Sequence, residues 1–278
     1  LDMKIFLPIL PQLTALETLN IGGNKMGEGG ATLLVSALRE RCSPVCSLDV
    51  GKCDLTADEV SIITHAFLST PRNTHPKFRL KMGNNLLSSR LFPSVPAGGG
   101  TWSLEVLDLS NSNLNYRLFS AIIKRLAAPD MRVRTLVLDR CLSSECSENE
   151  CVSLGTSMGG MVMNSPYLIA LVLSGGYTLN FVTTFLDCIT SNKTLLDLDI
   201  SKNNGGDTLM FHLAHILYTN SSLLSLYVDD NHTTDKGWQA LALVLQTSNK
   251  TVQHIGFPWR DFHRKTVTSH RERERERE

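Results

Sequence analysis

Two histidines, His212 and His215, stand three residues apart on one amphipathic stretch, and imidazoles at that spacing can share a metal ion. No glutamate follows in HExxH order, and a helix face flanking the core accounts for them without a ligand. The run Gly22-Gly-Asn-Lys-Met-Gly-Glu-Gly-Gly30 superficially resembles a phosphate-cradling loop, but it lacks the closing Lys-Ser/Thr that reaches the phosphates. Cys141, Cys146 and Cys151 are five apart and Cys42 and Cys46 four apart, without a second pair or nearby histidine at zinc spacing. No serine, histidine and aspartate can be placed together as a hydrolytic set. The sequence therefore nominates no catalytic residue, metal or cofactor, and the expectation is a protein that binds rather than an enzyme.

Aspartates are the chemistry that recurs. If Leu198 and Ile200 point into a core, strand alternation turns Asp197, Asp199 and Ser201 to the opposite face. The same count exposes Tyr227, Asp229 and the adjacent Asp230, together with Asp49, Asp108 and Asp139; the basic residues at such positions are Arg79 and Lys81. Asp197, Asp199, Tyr227, Asp229 and Asp230 are thus the candidate partner-binding residues, an acidic face that attracts a basic or polar segment. Charged surface also keeps a repeat protein soluble. In either role these side chains are expected to leave the core, and hence the stability, untouched.

The elements that position them come from a repeat. An apolar residue, any residue, a second apolar residue, two more residues and then Asn, Cys, Ser or Gly recur nine times, in the manner of a leucine-rich repeat. The copies are Leu19, Ile21, Asn24; Leu48, Val50, Cys53; Leu80, Met82, Asn85; Leu107, Leu109, Ser112; Leu136, Leu138, Cys141; Leu171, Leu173, Gly176; Leu198, Ile200, Asn203; Leu226, Val228, Asn231; and a degenerate Ile255, Phe257, Arg260. A period near 28 residues accommodates a strand, a helix and two turns. Amphipathic stretches follow the strands at 31–38, 60–68, 118–126, 181–189, 209–217 and 238–245. The expected fold is α/β, a ribonuclease-inhibitor-like β-α horseshoe of about nine repeats, with its strands on an inner wall on the order of 40 Å long. Residues 1–262 read as one such solenoid, expected to lack its N-terminal repeats since 3–13 read as the helix of a preceding repeat, and 263–278 as a charged low-complexity tail ending in Arg-Glu alternation. The enlarged segment 143–164 carries a methionine-rich piece expected to pack as a helix; 71–76 and 93–100 are Pro- and Gly-rich breaks.

The 278 residues carry 27 basic and 27 acidic side chains, a formal charge of zero, which gives no field for nucleic acid. No apolar run approaches the roughly 18 residues of a membrane span. Cys53 and Cys141 occupy the slot held elsewhere by Asn24 and Asn203, where a thiol serves as a small buried donor, and the seven cysteines fit a reducing, cytoplasmic setting. Four glycosylation sequons begin at Asn192, Asn220, Asn231 and Asn249. Three of these fall six residues before a strand leucine or isoleucine, and there asparagine is expected as a left-handed helix stop; Asn231 is in the buried turn slot.

In its last third the chain resembles a known family. The segments Asp199-Ile-Ser-Lys-Asn203, Leu223 to Val228 with Asp230-Asn231 and Thr234, Gly237-Trp-Gln-Ala-Leu-Ala-Leu243, Asn249-Lys-Thr-Val252, and Phe257-Pro258 with Asp261 resemble the closing repeats of the CARMIL family, cytoskeletal regulators of actin capping protein. The resemblance implies a scaffold with protein partners among cytoskeletal regulators, at the cell cortex. It also implies a membrane-binding domain before the repeats, and a helical dimerisation region and a capping-protein-binding segment after them. The repeat pattern alone also fits a GTPase-activating repeat protein or a fragment of a nucleotide-binding innate immune receptor.

Overall fold

Each strand is short, and the apolar residue at its centre anchors it. Leu19, Leu48, Leu80, Leu107, Leu136, Leu171, Leu198 and Leu226 are all buried, while the residues on either side of each are exposed or half-buried. In the computed structural model, which describes residues 3–41, 43–69, 78–92 and 101–264, this alternation fixes the register of every pairing. The Pro- and Gly-rich breaks at 71–76 and 93–100, Cys42 and the Arg-Glu tail lie outside the described residues.

The chain forms two compact units, Leu1–Ser143 and Ser144–Glu278. The first holds β1 (Thr18–Asn20), β2 (Ser47–Asp49), β3 (Arg79–Lys81), β4 (Trp102–Asp108) and β5 (Met131–Val137), paired in parallel in that order. Helices α2 (Gly30–Glu40), α3 (Ala57–Ser69) and α4 (Tyr116–Leu126) alternate with them, after a short α1 (Met3–Phe6). The second unit begins with α5 (Glu148–Asn164) and continues as β6 (Ala170–Val172), α6 (Leu179–Ile189), β7 (Asp197–Asp199), α7 (Gly206–Leu217), β8 (Ser225–Tyr227), α8 (Asp235–Thr247) and β9 (His254–Ile255). Its strands are again parallel in sequence order. All six expected helices fall within described ones. The architecture is α/β, a parallel sheet alternating with helices.

The methionine-rich segment forms α5, which starts on a capping box between Ser147 and Glu150 and buries Met158 and Met161. It lies so close to α6 that a Cβ at Gly155 would meet the Phe181 carbonyl oxygen at 2.5 Å and one at Gly159 the Cys188 Cβ at 2.2 Å. Those two glycines set the helix spacing. At the start of the chain the expected single helix breaks. Pro8 and Pro11 cannot donate to an α-helical ladder, so 7–12 form a 3₁₀ segment. Carbonyls at its end and in the loop after it are gathered by the buried Arg41 guanidinium, which donates to Leu10, Leu13 and Leu16 at 2.7–2.8 Å and to Ser43 at 3.0 Å. Burial lowers the pKa of this guanidinium.

Between strand and helix the backbone turns sharply in each repeat, and the turn slot satisfies it. Asn203 donates its amide to the carbonyls of Leu173 (2.8 Å) and Ile200 (3.0 Å) and accepts from the Tyr177 N–H (3.1 Å). Asn231 repeats this one coil later, donating to Ile200 and Val228 and accepting from the N–H groups of Asn203 and Gly205. Asn85 does so in the first unit, joining Val50, Met82, Cys53 and Leu55. Where the slot is cysteine, the thiol still donates across coils, Cys53 to Ile21 and Cys141 to Leu109 at 3.3 and 2.9 Å. The residue just before the slot is left-handed at Lys52, Asn84, Asn111, Arg140, Lys202 and Asp230, with φ from 49° to 63°. That strained conformation costs roughly 1–2 kcal/mol per residue, so the hydrogen bonds beside it must hold it.

Asn192, Asn220 and Asn249 form a second ladder at the helix ends, by a different device from the expected left-handed stop. None has positive φ. Each buried amide donates to a carbonyl of the preceding coil, respectively Val162, Ile189 and Leu217, and its oxygen accepts two N–H groups of the loop leading into the next strand. With side chains 2–6% exposed, these sequon asparagines are consumed by the fold.

Two predictions follow from the slots. Asn203→Ala leaves two buried carbonyls and a buried N–H without this partner at about 1–3 kcal/mol each, so urea denaturation is expected to show a loss near 3 kcal/mol. Asn24→Ala removes only bonds to the carbonyls of its own part-buried turn, Ile21 and Gly22, and should cost about 1 kcal/mol; equal losses would contradict the cross-coil role. For Cys141, burial pushes the thiol up to about 12, with the nearby Asp108 and Asp139 charges adding to it. Its folded pKa is raised, so the stability from a neutral thiol is complete below about pH 8.5 and is lost as the pH rises toward about 12. The stability advantage of the native chain over Cys141→Ala is therefore expected to shrink between pH 7 and pH 10.5, and an advantage constant with pH would contradict it.

Candidate functional site

Ordinarily both faces of a parallel sheet are covered. Here the flanking residues of every strand stay open to solvent on the face away from the buried leucines, and the candidate residues sit there. On the second unit, register places Ala170, Asp197, Ser225 and His254 in one row and Val172, Asp199 and Tyr227 in the next. Ala170, Val172, Asp197, Asp199 and Tyr227 line a shallow depression of about 130 Å³. Tyr227 is 40% exposed; its ring stands 5.4 Å from the His254 ring and lies over Gly256, where a Cβ would come within 2.7 Å of it.

The five candidates divide in two. Asp197, Asp199 and Tyr227 are together around the depression. Asp229 and Asp230 are instead engaged by the end of the chain. Asp229 Oδ1 accepts the N–H groups of Asp230, Arg260 and Asp261 at 2.8–3.2 Å. Asp230 is clamped between Arg260, at 2.7 Å, and Arg264. Burial pushes the Asp230 carboxyl up, but hydrogen bonds and charge from the two guanidiniums outweigh it and hold the pKa below the ordinary value. These two carboxylates are part of the fold rather than free charge on the face.

The expected ninth slot is displaced by one residue for the same reason. Arg260 is exposed and bound to Asp230, while Asp261 is 6% exposed and accepts the N–H groups of Asn231 and His232. Beyond Phe257 the chain is helical over 259–264, closing on a bond from the Phe262 N–H to the Pro258 carbonyl. Phe257, Trp259 and Phe262 cluster there, 55–69% exposed, with ring centroids 4.6 and 6.0 Å apart.

Several strand-end carboxylates do a job that alternation alone does not reveal. Asp49, Asp108 and Asp199 each accept, at 2.9 Å, the N–H two residues on, from Gly51, Ser110 and Ser201; Asn20 does the same for Gly22. The signal was present as Asp-x-Ser or Asp-x-Gly, the signature of an Asx turn. Asp207 was missed altogether. It accepts from the Thr234 hydroxyl and N–H and from the Gly237 N–H, tying the start of α8 to α7. Burial raises its pKa, but those bonds and the Lys236 charge outweigh it, leaving the carboxyl lowered.

In the first unit the open face has a polar depression of about 330 Å³ whose lining includes Asp49, Lys52, Lys81, Asn84 and Asp108. His212 and His215 do not converge on a ligand: His212 Nε2 is 2.8 Å from Asp187 Oδ1 on α6. Among the described residues no three side chains of metal-binding type gather, and no helix is long and apolar enough to cross a membrane. The glycine-rich run 22–30 supplies the first turn and the entry to α2, with Gly23, Gly27 and Gly29 at positive φ. Six cysteines, all but Cys42, are free thiols.

No family model matches the sequence. Among solved structures the chain is similar to the complex of Rad7 and Elc1 from yeast, with a TM-score of 0.44 and 13% identity; the match covers 91% of this chain and 66% of that one, just under two thirds of the neighbour's length.

The division of the aspartates generates a prediction. Asp230→Asn should lower the melting temperature at pH 7, whereas Asp197→Asn should leave it unchanged. Because the folded pKa of Asp230 is depressed, its stabilisation is present above the unfolded carboxylate range near about 4 and is lost as the pH falls through the folded value. The gap between native chain and Asp230→Asn is expected to close on acidification, and equal effects of the two substitutions at pH 7 would remove the distinction.

Proposed function

We propose that this chain is a leucine-rich repeat solenoid of the ribonuclease-inhibitor kind that serves as a protein-interaction scaffold in the regulation of actin capping and filament assembly. One observation carries the scaffold reading: in each unit a parallel sheet with one face left uncovered, bearing charged and, in the second unit, aromatic side chains. A sheet face unsealed by helices presents a broad ordered surface whose side chains are spaced at about 4.8 Å across strands and about 6.8 Å along them. Such a surface suits an extended or folded protein partner better than a small molecule, which is typically bound in a concave pocket that buries most of it.

The actin assignment is supported by the resemblance of 199–203, 223–243 and 249–261 to the closing repeats of the CARMIL family. Several of the residues that carry it are structural in this chain: Asn203, Asn231 and Asn249 are ladder asparagines, Thr234 caps α8, and Asp261 closes the last slot. On this reading the protein works in the cytoplasm at the cell cortex, and its partners are proteins of the cytoskeleton.

The test places a photo-crosslinking amino acid at Lys81 or Ser225 on the open face, or at Thr156 on the exposed side of α5, within the full-length protein in cells. Actin-assembly regulators are expected to cross-link from the two sheet positions and not from Thr156. Cross-links confined to α5, or an absence of cytoskeletal proteins among the products, would overturn the assignment. The purified chain is also expected to leave GTP hydrolysis by candidate small GTPases unchanged; acceleration would favour the catalytic alternative.

A further inference from the structure

We propose that the depression on the second unit receives one arginine side chain from an extended partner segment, with Asp197 and Asp199 as its counter-ions and Tyr227 as its stacking surface. The inference rests on the reading of the open face as a protein-binding surface and names the chemistry of one subsite on it.

The walls are carbon. Ala170 and Val172 on β6 form one side and the Tyr227 ring on β8 the other, so an occupant must bring an apolar or planar body between them. The ring is preorganised, because Gly256 beneath it leaves no room for a side chain and His254 stands beside it. β7 contributes Asp197 and Asp199 to the lining, two residues apart and about 6.8 Å along the strand, with their carboxylates bordering the apolar floor. Ser201 N–H occupies one oxygen of Asp199. Among the described residues no hydrogen bond or ion pair engages the other Asp199 oxygen or either oxygen of Asp197. An apolar slot with uncompensated negative charge calls for a cation with a flat, weakly hydrated body.

Guanidinium has that form. Its faces stack on an aromatic ring, its methylene stem lies along apolar walls, and its donors fan out in a plane that can reach two separated carboxylates at once. An ammonium is a compact, strongly hydrated point charge that loses more hydration on entry and gains little from the walls. The chain already satisfies a carboxylate on this part of its surface in the proposed way, since Arg260 and Arg264 clamp Asp230. That clamp also explains why Asp230 does not join the subsite, while Asp229 is held instead by backbone N–H groups of the closing segment.

The probe is the capped peptide acetyl-Ser-Thr-Arg-Thr-Ser-amide, with versions carrying lysine or neutral citrulline in place of arginine, titrated into the isotope-labelled full chain and followed by amide NMR shifts. The arginine peptide is expected to shift strands β6 to β8 saturably, the lysine peptide to bind more weakly, and the citrulline peptide about tenfold more weakly or worse. Asp197→Asn with Asp199→Asn should weaken the arginine peptide by about tenfold. Asparagine keeps an oxygen for the Ser201 N–H, and an unchanged spectrum elsewhere verifies the fold. Tyr227→Ala should narrow the preference for arginine over lysine.

Equal binding of citrulline and arginine, equal binding to the double variant, shifts confined to other strands, or no shift at all would each overturn the subsite. Partner cross-linking from Lys81 and Ser225 separates this from failure of the broader reading. If cross-linking from the native protein is seen while the arginine peptide does not bind that protein, the scaffold stands and the arginine subsite falls; if cross-linking is absent from the native protein too, the scaffold reading itself falls.

Discussion

The constraint on which the structure depends is the satisfaction of buried backbone groups at the turns. Each repeat must reverse direction twice within about 28 residues, carrying peptide N–H and C=O groups into the interior, where an unpaired one costs about 1–3 kcal/mol. One amide side chain per turn meets the need at both ends of the helix. Asn85, Asn203 and Asn231 serve the strand-to-helix turn, and Asn192, Asn220 and Asn249 the helix-to-strand return. Asparagine fits because one short side chain carries two donors and an acceptor. A thiol supplies only one weak donor, so the coils with Cys53 and Cys141 bridge the same gap with fewer bonds.

Locking the turns in this way leaves much of one sheet face in each unit free of structural duty. Apolar residues two positions apart along the chain fill the interior, helices seal it, and what remains outside can vary in charge without disturbing the core. The aspartates show how finely that freedom divides. Asp199 gives one oxygen to a turn and keeps the other, Asp197 keeps both, and Asp229 and Asp230 are drawn into the closing segment. A residue's place on a face is therefore a weaker guide to function than the number of its lone pairs still open.

Much of the candidate site was legible in the repeat. Alternation around Leu198 and Leu226 correctly put Asp197, Asp199 and Tyr227 on the open side, because a strand's period of two is a local property. Locality also explains the misassignments. Asp229 and Asp230 meet Arg260 and Arg264 about 30 residues downstream, in a segment whose degenerate repeat gave no periodic signal. The sequon asparagines were placed at the right points in the repeat but given the wrong device, since their partners lie a whole coil away. Nothing in the spacing of Tyr227 announces that its ring would lie against Gly256, about 30 residues downstream, where no side chain competes for the space.

By itself the sequence determined the period, the strand centres, the helices and the sides on which residues fall, since each follows from hydrophobic spacing within a single repeat. Even the exchange of asparagine for cysteine in the slot is readable, because both are small side chains able to donate at least one bond. The tertiary structure alone decided which side chains remain open to a partner. Parallel strands from successive coils bring together residues about 30 positions apart, and whether a carboxylate there meets an N–H, a guanidinium or only solvent depends on the packing of coils whose sequences are not periodic at those positions.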